Sequence, residues 1–447
     1  MKNQKLSLLE KIGYGSGDAA VNVVISSFFL IITFFYTDIF GLKPKDMALM
    51  FLLVRLIDAI SDPLMGIVTD KFKSEKMGRF RPYFLYLAIP FGISVFFTFT
   101  TPNFDYAGKL IYAYVSYIIV TLMFTSVTIP YISLIGVLTS DPQERLSANG
   151  FRLFFAKVAA FLVTIVVPIL AEKLGKNDMA RGYQLSMGLM ALMGTLLFFF
   201  CFFTTKERIE HVIEKTSYWI QLKYLVKNGQ WMVLWGSCLS GTIGYVIRSS
   251  VAIFYAKYYL GGNATVQSTF MAVGVIASIL AMPASTFITK RFCKVKLFWI
   301  SQLLVGVISV LMFLVVKPHP DSLILAYVMY FIMMFVVDIH APVFWSAIAE
   351  AVDYGQAETG IRVSGLSFGG ISFAQKAGMG IAGAVVGLLL DAFGYIPDAV
   401  QSKTALIGLA LMLTIIPGVF HVINGLLIMR YKITDNFYET IKAKLHI

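Results

Sequence analysis

The chain has 447 residues, of which 58% are hydrophobic and only 14% charged, and its mean hydropathy is +0.76. That excludes a soluble domain of this size and points to a polytopic membrane protein. The net charge of +12 lies in short tracts between apolar spans, which argues for contact with membrane lipid and against nucleic acid.

Windows of about 20 apolar residues predict twelve membrane helices. The first, Ala19 to Phe40, follows a start without a short apolar core and cleavage site, so it reads as an uncleaved anchor. The second, Asp46 to Asp70, carries Arg55, Asp58 and Asp62 in its middle, on one stripe of a helix. A charge at bilayer depth costs at least about 2.5 kcal/mol, so such residues face a cavity, a partner or an ion. Two acids one turn apart suggest a cation site, with an ion pair to Arg55 or Lys376 as the plain structural alternative. The next spans are Pro82 to Thr100, Lys109 to Leu138, Phe151 to Ala171 and Tyr183 to Thr204. After the polar connection Lys206 to Gln230 come Trp231 to Leu260, Val266 to Thr289, Leu297 to Val316, Ser322 to Glu350, Leu366 to Ala392 and Ala405 to Met429.

Lysine and arginine concentrate after spans two, six, eight and twelve, which predicts that both termini are cytoplasmic. If the source is a bacterium, the location is the inner, cytoplasmic membrane. The expected organisation is all-α: a six-helix half at residues 1–205 holding the cation site, a cytoplasmic linker at 206–230 with a short surface helix, and a second six-helix half at 231–447 around a central cavity. Cys201, Cys238 and Cys293 lack metal-ligand or redox spacing and read as packing residues. No nucleophile and base set, metal cluster or nucleotide motif stands out, so an enzyme is not expected. The glycines of the eleventh span read as a surface for close helix approach, not as a phosphate loop.

GYGSGDAAVN at Gly13 to Asn22, FYTDIFGL at Phe35 to Leu42, RLIDAISDPLMG at Arg55 to Gly66, GRFRPY at Gly78 to Tyr83, IPYISL at Ile129 to Leu134 and VDYGQAETGIR at Val352 to Arg362 together resemble the glycoside-pentoside-hexuronide:cation symporters of the major facilitator superfamily. The resemblance implies a twelve-helix transporter in which a sugar or sugar acid moves with Na+ or H+ by alternating access, with no cofactor beyond the coupling ion, as a monomer. It places Asp58 and Asp62 as cation ligands with Thr125 as a hydroxyl ligand. Ser61 stands where melibiose permease, a family member, has asparagine. Pro130 cannot donate to the Ser126 carbonyl, which makes that oxygen a further candidate.

The two acids that hold galactoside in melibiose permease fall at Asn22 and Thr128, so melibiose is not the expected substrate. Arg152, Arg248 and Lys376 join Asp18, Asn22, Thr128 and Trp345 as the sugar-side candidates. Asp18 reads equally as a helix N-cap, and Lys157 as a side chain reaching cytoplasmic water. The excess of buried cations favours a hexuronide or glucuronide, because a guanidinium clamps a carboxylate. The alternatives are a neutral pentoside or xyloside and, on the same scaffold, a lipid headgroup. Tyr131 and Trp345 are candidates for stacking on a sugar ring, while Asp338 and His340 are either a proton relay or a pair fixing helix ten. Asp70, Arg79, Arg81, Asp353 and Arg362 flank cytoplasmic turns and read as gate contacts.

Overall fold

The computed structural model describes residues 5–445 apart from 72–73, 140–141, 209–217, 290, 362 and 364. Among these residues there is no β-strand, only an isolated bridge between Ser74 and Gly78. A chain that must satisfy its backbone inside lipid has this one local option, because a helix pairs every interior N–H and C=O within itself.

Among the described residues, twelve long helical segments follow the order expected. They are α1 (Leu8–Leu30), α2 (Pro44–Lys71), α3 (Arg81–Tyr86 and Ala88–Thr98), α4 (Tyr106–Leu138), α5 (Pro142–Gly175) and α6 (Met179–Thr204), then α7 (Gly229–Phe254), α8 (Ala264–Thr289), α9 (Lys294–Val315), α10 (Leu323–Asp338 and Ala341–Thr359), α11 (Gly365–Ala392) and α12 (Lys403–Leu413 and Ile415–Ile428). Among the described residues nine pass as membrane spans by length and apolarity alone, or ten with the bent α1. The two left over have physical reasons: α2 carries charge in its middle, and α3 is broken at Leu87, where Pro90 withholds the N–H that the Tyr86 carbonyl would take.

Several boundaries differ from expectation, and two matter for function. α1 begins at Leu8, not Ala19, because Ser7 and Glu10 form a reciprocal capping box. Asp18 is therefore a mid-helix residue and not a cap. α5 begins at Pro142, not Phe151, so Lys157 lies well inside it and is not a residue of the first turns.

The chain divides into two compact units, Met1–Ile213 with Asn263–Ala272, and Glu214–Gly262 with Val273–Ile447. In the first, α1 packs against α5 and α6, and glycines set the closeness of approach: a Cβ on Gly17 would lie 2.4 Å from the Tyr131 ring. In the second, α7 packs against α11 and α12, and a Cβ on Gly378 of α11 would meet Thr242 at 3.0 Å and the Leu239 carbonyl at 3.1 Å. The expected small-residue surface of α11 is thus its seat against α7.

The first helix of each unit ends in the same device. α1 runs into a π turn at Phe35–Ile39 and α7 into one at Tyr255–Tyr259, with Phe40 N–H donating to the Phe35 carbonyl (2.8 Å) and Leu260 N–H to that of Tyr255 (3.0 Å). Each is followed by a left-handed glycine, Gly41 (φ 87°) or Gly261 (φ 66°), a conformation in which a Cβ would clash. Outside the spans, Tyr218–Lys227 forms the short linker helix, with Trp219 exposed and Leu225 buried, and Asp435–Leu445 packs on α10.

Candidate functional site

α2 presents Asp58 and Asp62 as the sequence spacing requires. Asp58 is 3% exposed, and the Asp62 carboxylate takes a hydrogen bond from the Thr125 hydroxyl of α4 at 2.9 Å. Threonine on a helix commonly returns its hydroxyl to a carbonyl of its own preceding turn, and Thr125 instead reaches across to a neighbouring helix. Ser61 does the opposite: its hydroxyl turns back to the Asp58 carbonyl at 3.4 Å. The helix thus holds two carboxylates and one interhelical hydroxyl, an oxygen-rich set of the kind a hard cation or a shared proton requires. The side chain of Arg55 lies outside the described residues.

Three residues beyond Thr125 on the same helix, Thr128 is 8% exposed, and its hydroxyl has no hydrogen-bond partner among the described residues. One turn further, Tyr131 stacks on Tyr14 of α1 with ring centroids 5.2 Å apart and donates its hydroxyl to the Tyr14 carbonyl at 2.8 Å. The Arg152 guanidinium of α5 lies over the Tyr131 ring, 6.0 Å from its centroid, and its Nε is 3.2 Å from Asp18 of α1. The Asp18 side chain is 7% exposed and that of Arg152 28%. Asn22, one turn above Asp18, donates its amide to the Asp18 backbone carbonyl at 2.8 Å. α1, α4 and α5 thus place Asp18, Asn22, Thr128, Tyr131 and Arg152 in one unit.

Arg248 occupies a different setting. It is 0% exposed and lies entirely within the second unit, donating from Nε to the Leu413 carbonyl (3.2 Å), from Nη1 to His421 Nε2 (3.2 Å) and from Nη2 to Ser309 Oγ (3.3 Å). Each of the three guanidinium nitrogens thus has an acceptor inside the unit, and the side chain is buried rather than extended toward water. Lys376 is half-buried on α11, and Trp345, 46% exposed, stands against Phe344 on the second piece of α10.

Of the gate candidates, Arg81 donates to the Phe202 carbonyl (2.7 Å) and covers the Phe202 ring, while Arg79 donates to the Thr69 carbonyl (3.3 Å). Both bonds stay within the first unit. Asp353 accepts from the Tyr438 hydroxyl of the C-terminal helix at 2.6 Å. Arg362 and the side chain of Asp70 lie outside the described residues.

Sequence reasoning missed Glu207 altogether. Its carboxylate accepts the backbone N–H of Arg79 (2.9 Å), Phe80 (2.7 Å) and Arg81 (3.0 Å), which caps the start of α3 from the far end of the unit. No local signal marks it, since it lies well over a hundred residues from the helix it caps. His421, Gln302 and Asn424 were also missed, although a histidine, a glutamine and an asparagine inside apolar spans carry a visible signal.

Residues 13–435 match the family described as MFS/sugar transport protein. The chain is 34% identical to the inner membrane symporter YicJ of Escherichia coli (strain K12), over 100% of this chain and 96% of that one. It belongs to the glycoside-pentoside-hexuronide:cation symporter family of the major facilitator superfamily. Two other relatives are the putative glycoside/cation symporter YagG of E. coli (strain K12), 34% identical over 99% of this chain and 95% of that one, and the isoprimeverose transporter of Lactiplantibacillus pentosus, 32% identical over 95% and 88%. Among solved structures, a bacterial homolog of the human lysosomal transporter Spinster superimposes with a TM-score of 0.67 at 14% identity, covering 98% of this chain and 96% of that one, which supports the twelve-helix fold alone. The protein is therefore a cation-coupled membrane transporter of sugar-like small molecules, not an enzyme.

Proposed function

We propose that this symporter moves a neutral glycoside together with one cation, by alternating access, in the inner membrane with both termini cytoplasmic. The observation that supports the reading is that one helix, α4, carries groups beside both sets of candidate residues. Thr125 holds the cation-side Asp62, and Thr128 and Tyr131, on the same helix, stand with the Asp18–Arg152 pair. A cation bound at Asp58 and Asp62 draws Thr125 toward it. The position of α4 then sets how well Thr128, Asp18 and Arg152 fit a sugar. Binding at one set raises affinity at the other by the same factor, a coupling of about 1–3 kcal/mol in typical cases.

A neutral sugar fits better than a sugar acid. A carboxylate clamp needs a guanidinium with charge to offer. Arg152 is already balanced by Asp18, and Arg248 is already bonded to three acceptors in the other unit. A carboxylate beside a guanidinium suits hydroxyl groups, which donate to Asp18 and accept from Arg152. Asn22, Lys376 and Trp345 remain sugar-side candidates, and Asp70, Arg79, Arg81, Asp353 and Arg362 remain gate candidates. The coupling ion is Na+ or H+, and Ser61 in place of an amide leaves the acids themselves as the principal ligands.

Uptake of a labelled xyloside or glucoside and of the matching glucuronide into proteoliposomes, under imposed Na+ or H+ gradients, tests the reading. Concentrative uptake of the neutral glycoside is expected, and the gradient that drives it identifies the ion. Preference for the glucuronide overturns the neutral assignment, and uptake of neither, with binding of lysophospholipid, overturns the sugar reading.

A further inference from the structure

The short linker helix Tyr218–Lys227 has two faces of different kinds. Inward, Leu225 is buried in the apolar core that also holds Trp231, Ile348 and Ile371, and Tyr224 packs against it. Just past its end, Asn228 donates its amide to the Ala351 carbonyl of α10 at 2.7 Å and accepts the Trp231 N–H at 3.1 Å, which caps the start of α7. The helix is therefore fixed to the second unit. Its other face is Trp219, Ile220, Lys223, Val226 and Lys227, spaced at i, i+1, i+4, i+7 and i+8 and all exposed.

Trp219 is 76% exposed, with Ile220 and Val226 beside it. Three large apolar side chains on a helix that is already docked gain nothing from facing water. The two lysines in the same stripe make an apolar protein surface a poor cover for it. Their stems lie along apolar groups only where the ammonium groups stay at a polar boundary. Tryptophan and lysine on one face of a short helix suit the bilayer interface, where the indole sits at headgroup level.

The charges around this helix decide which headgroup fits. Side-chain contacts bring the starts of α7, α9 and α11, the end of α10 and the C-terminal helix to this end of the unit: Trp231 donates to the Ser367 carbonyl (3.3 Å), and Lys294 reaches both Glu350 (2.7 Å) and Asp435 (3.1 Å). The remaining described acids here are engaged as well, Glu358 by Lys444, Glu439 by Lys442 and Asp353 by the Tyr438 hydroxyl. Lys223, Lys227, Arg291, Lys296, Arg430 and Lys432 form no ion pair among the described residues. The surplus at this end is positive, so it attracts anions from outside the chain. An inorganic anion answers the lysines but not the tryptophan, whereas an acidic phospholipid answers both.

We propose that the exposed stripe of the linker helix is a docking site for acidic phospholipid. Lys223 and Lys227 hold the phosphate groups, and Trp219, Ile220 and Val226 are set among the glycerol and the upper acyl chains. The helix then anchors the start of α7 at the bilayer surface. Sugar and coupling ion have no part in this, so the test is independent of the transport reading.

The full-length protein is reconstituted in phosphatidylcholine vesicles with a minor fraction of phosphatidylglycerol, and the fluorescence that Trp219→Phe removes is taken as the signal of Trp219. Phospholipid brominated near the glycerol end of its chains is expected to quench that signal, and iodide on both sides of the bilayer to leave it unchanged. Brominated phosphatidylglycerol is expected to quench with a relative association constant on the order of tenfold above brominated phosphatidylcholine. That preference falls toward parity in the Lys223→Gln, Lys227→Gln double variant and at high salt, and it is unchanged in Lys317→Gln at the far end of α9. Quenching by iodide in place of brominated lipid overturns the proposal and makes the stripe a water-facing or protein-docking surface. Equal quenching by the two lipids, or a preference that survives the double variant, overturns it as well. The salt dependence is read on the wild type, so it holds as a test even if the double variant does not fold: a preference that salt does not move overturns the proposal.

Discussion

The Thr125 hydroxyl of α4 donates to the Asp62 carboxylate of α2 across 2.9 Å, joining two helices through a group that either a cation or a proton would compete for. Replacing Thr125 with valine keeps the shape and removes the hydroxyl. A hydrogen bond to a charged group contributes about 1.5–3 kcal/mol, and a hydroxyl ligand lost to Na+ is of similar worth, so apparent affinity for Na+ is expected to fall by about 10- to 100-fold while sugar exchange persists. Ion-dependence of uptake measures the first and counterflow the second. Asp62→Asn is expected to abolish concentrative uptake outright, and uphill transport surviving in that variant would remove the carboxylates of α2 from the coupling mechanism.

Asp18 and Arg152 are a mutually dependent pair. Removing one partner strands a buried charge, at a cost of about 3–5 kcal/mol in comparable cases, whereas neutralising both is milder. Asp18→Asn and Arg152→Gln are each expected to lower the melting temperature more than the double variant does, with sugar binding lost in all three. Thermal melting in detergent beside equilibrium binding separates the two effects. Additive destabilisation in the double variant would show that the ion pair carries no coupling.

The proline break of α12 yields a double-mutant cycle. Pro417→Ala returns an N–H to the Leu413 carbonyl, which then no longer depends on Arg248. Arg248→Gln is expected to destabilise the parent strongly and the Pro417→Ala background by about 1 kcal/mol less, the contribution of one hydrogen bond. Equal costs in both backgrounds would mean that Arg248 matters only through His421 and Ser309.

Two caps are testable at the surface. Ser7→Ala removes the hydroxyl half of the α1 capping box and is expected to cost about 1 kcal/mol. Glu207→Ala leaves the N–H groups of Arg79, Phe80 and Arg81, at the entry to α3, without their acceptor and is expected to cost more, about 1–3 kcal/mol, with hydrogen exchange rising at residues 79–81.

The twelve helices and the stripe of Asp58 and Asp62 were legible in the sequence because both are consequences of local composition. A membrane span needs about 20 apolar residues, and acids at i and i+4 share a face whatever surrounds them. Thr125 was legible only through the family motifs, since nothing in its own neighbourhood says that it faces α2. The start of α1 was misjudged because hydropathy marks where lipid begins and not where the helix begins, and Ser7 and Glu10 extend the helix well beyond the apolar stretch. That error alone made Asp18 look like a cap.

The class of protein, the order of the helices and the residue types available for a cation and a sugar can all be read along the chain. They are legible there because bilayer thickness and the cost of buried charge act on each segment separately. Which charges are still available depends on how the helices pack. Asp18 and Arg152 come from helices more than a hundred residues apart and balance each other, while Arg248 meets a carbonyl that Pro417 orphans on α12. Such pairings depend on packing across the whole unit: Pro417 marks the Leu413 carbonyl as orphaned, but which distant side chain reaches it is not written in the local pattern.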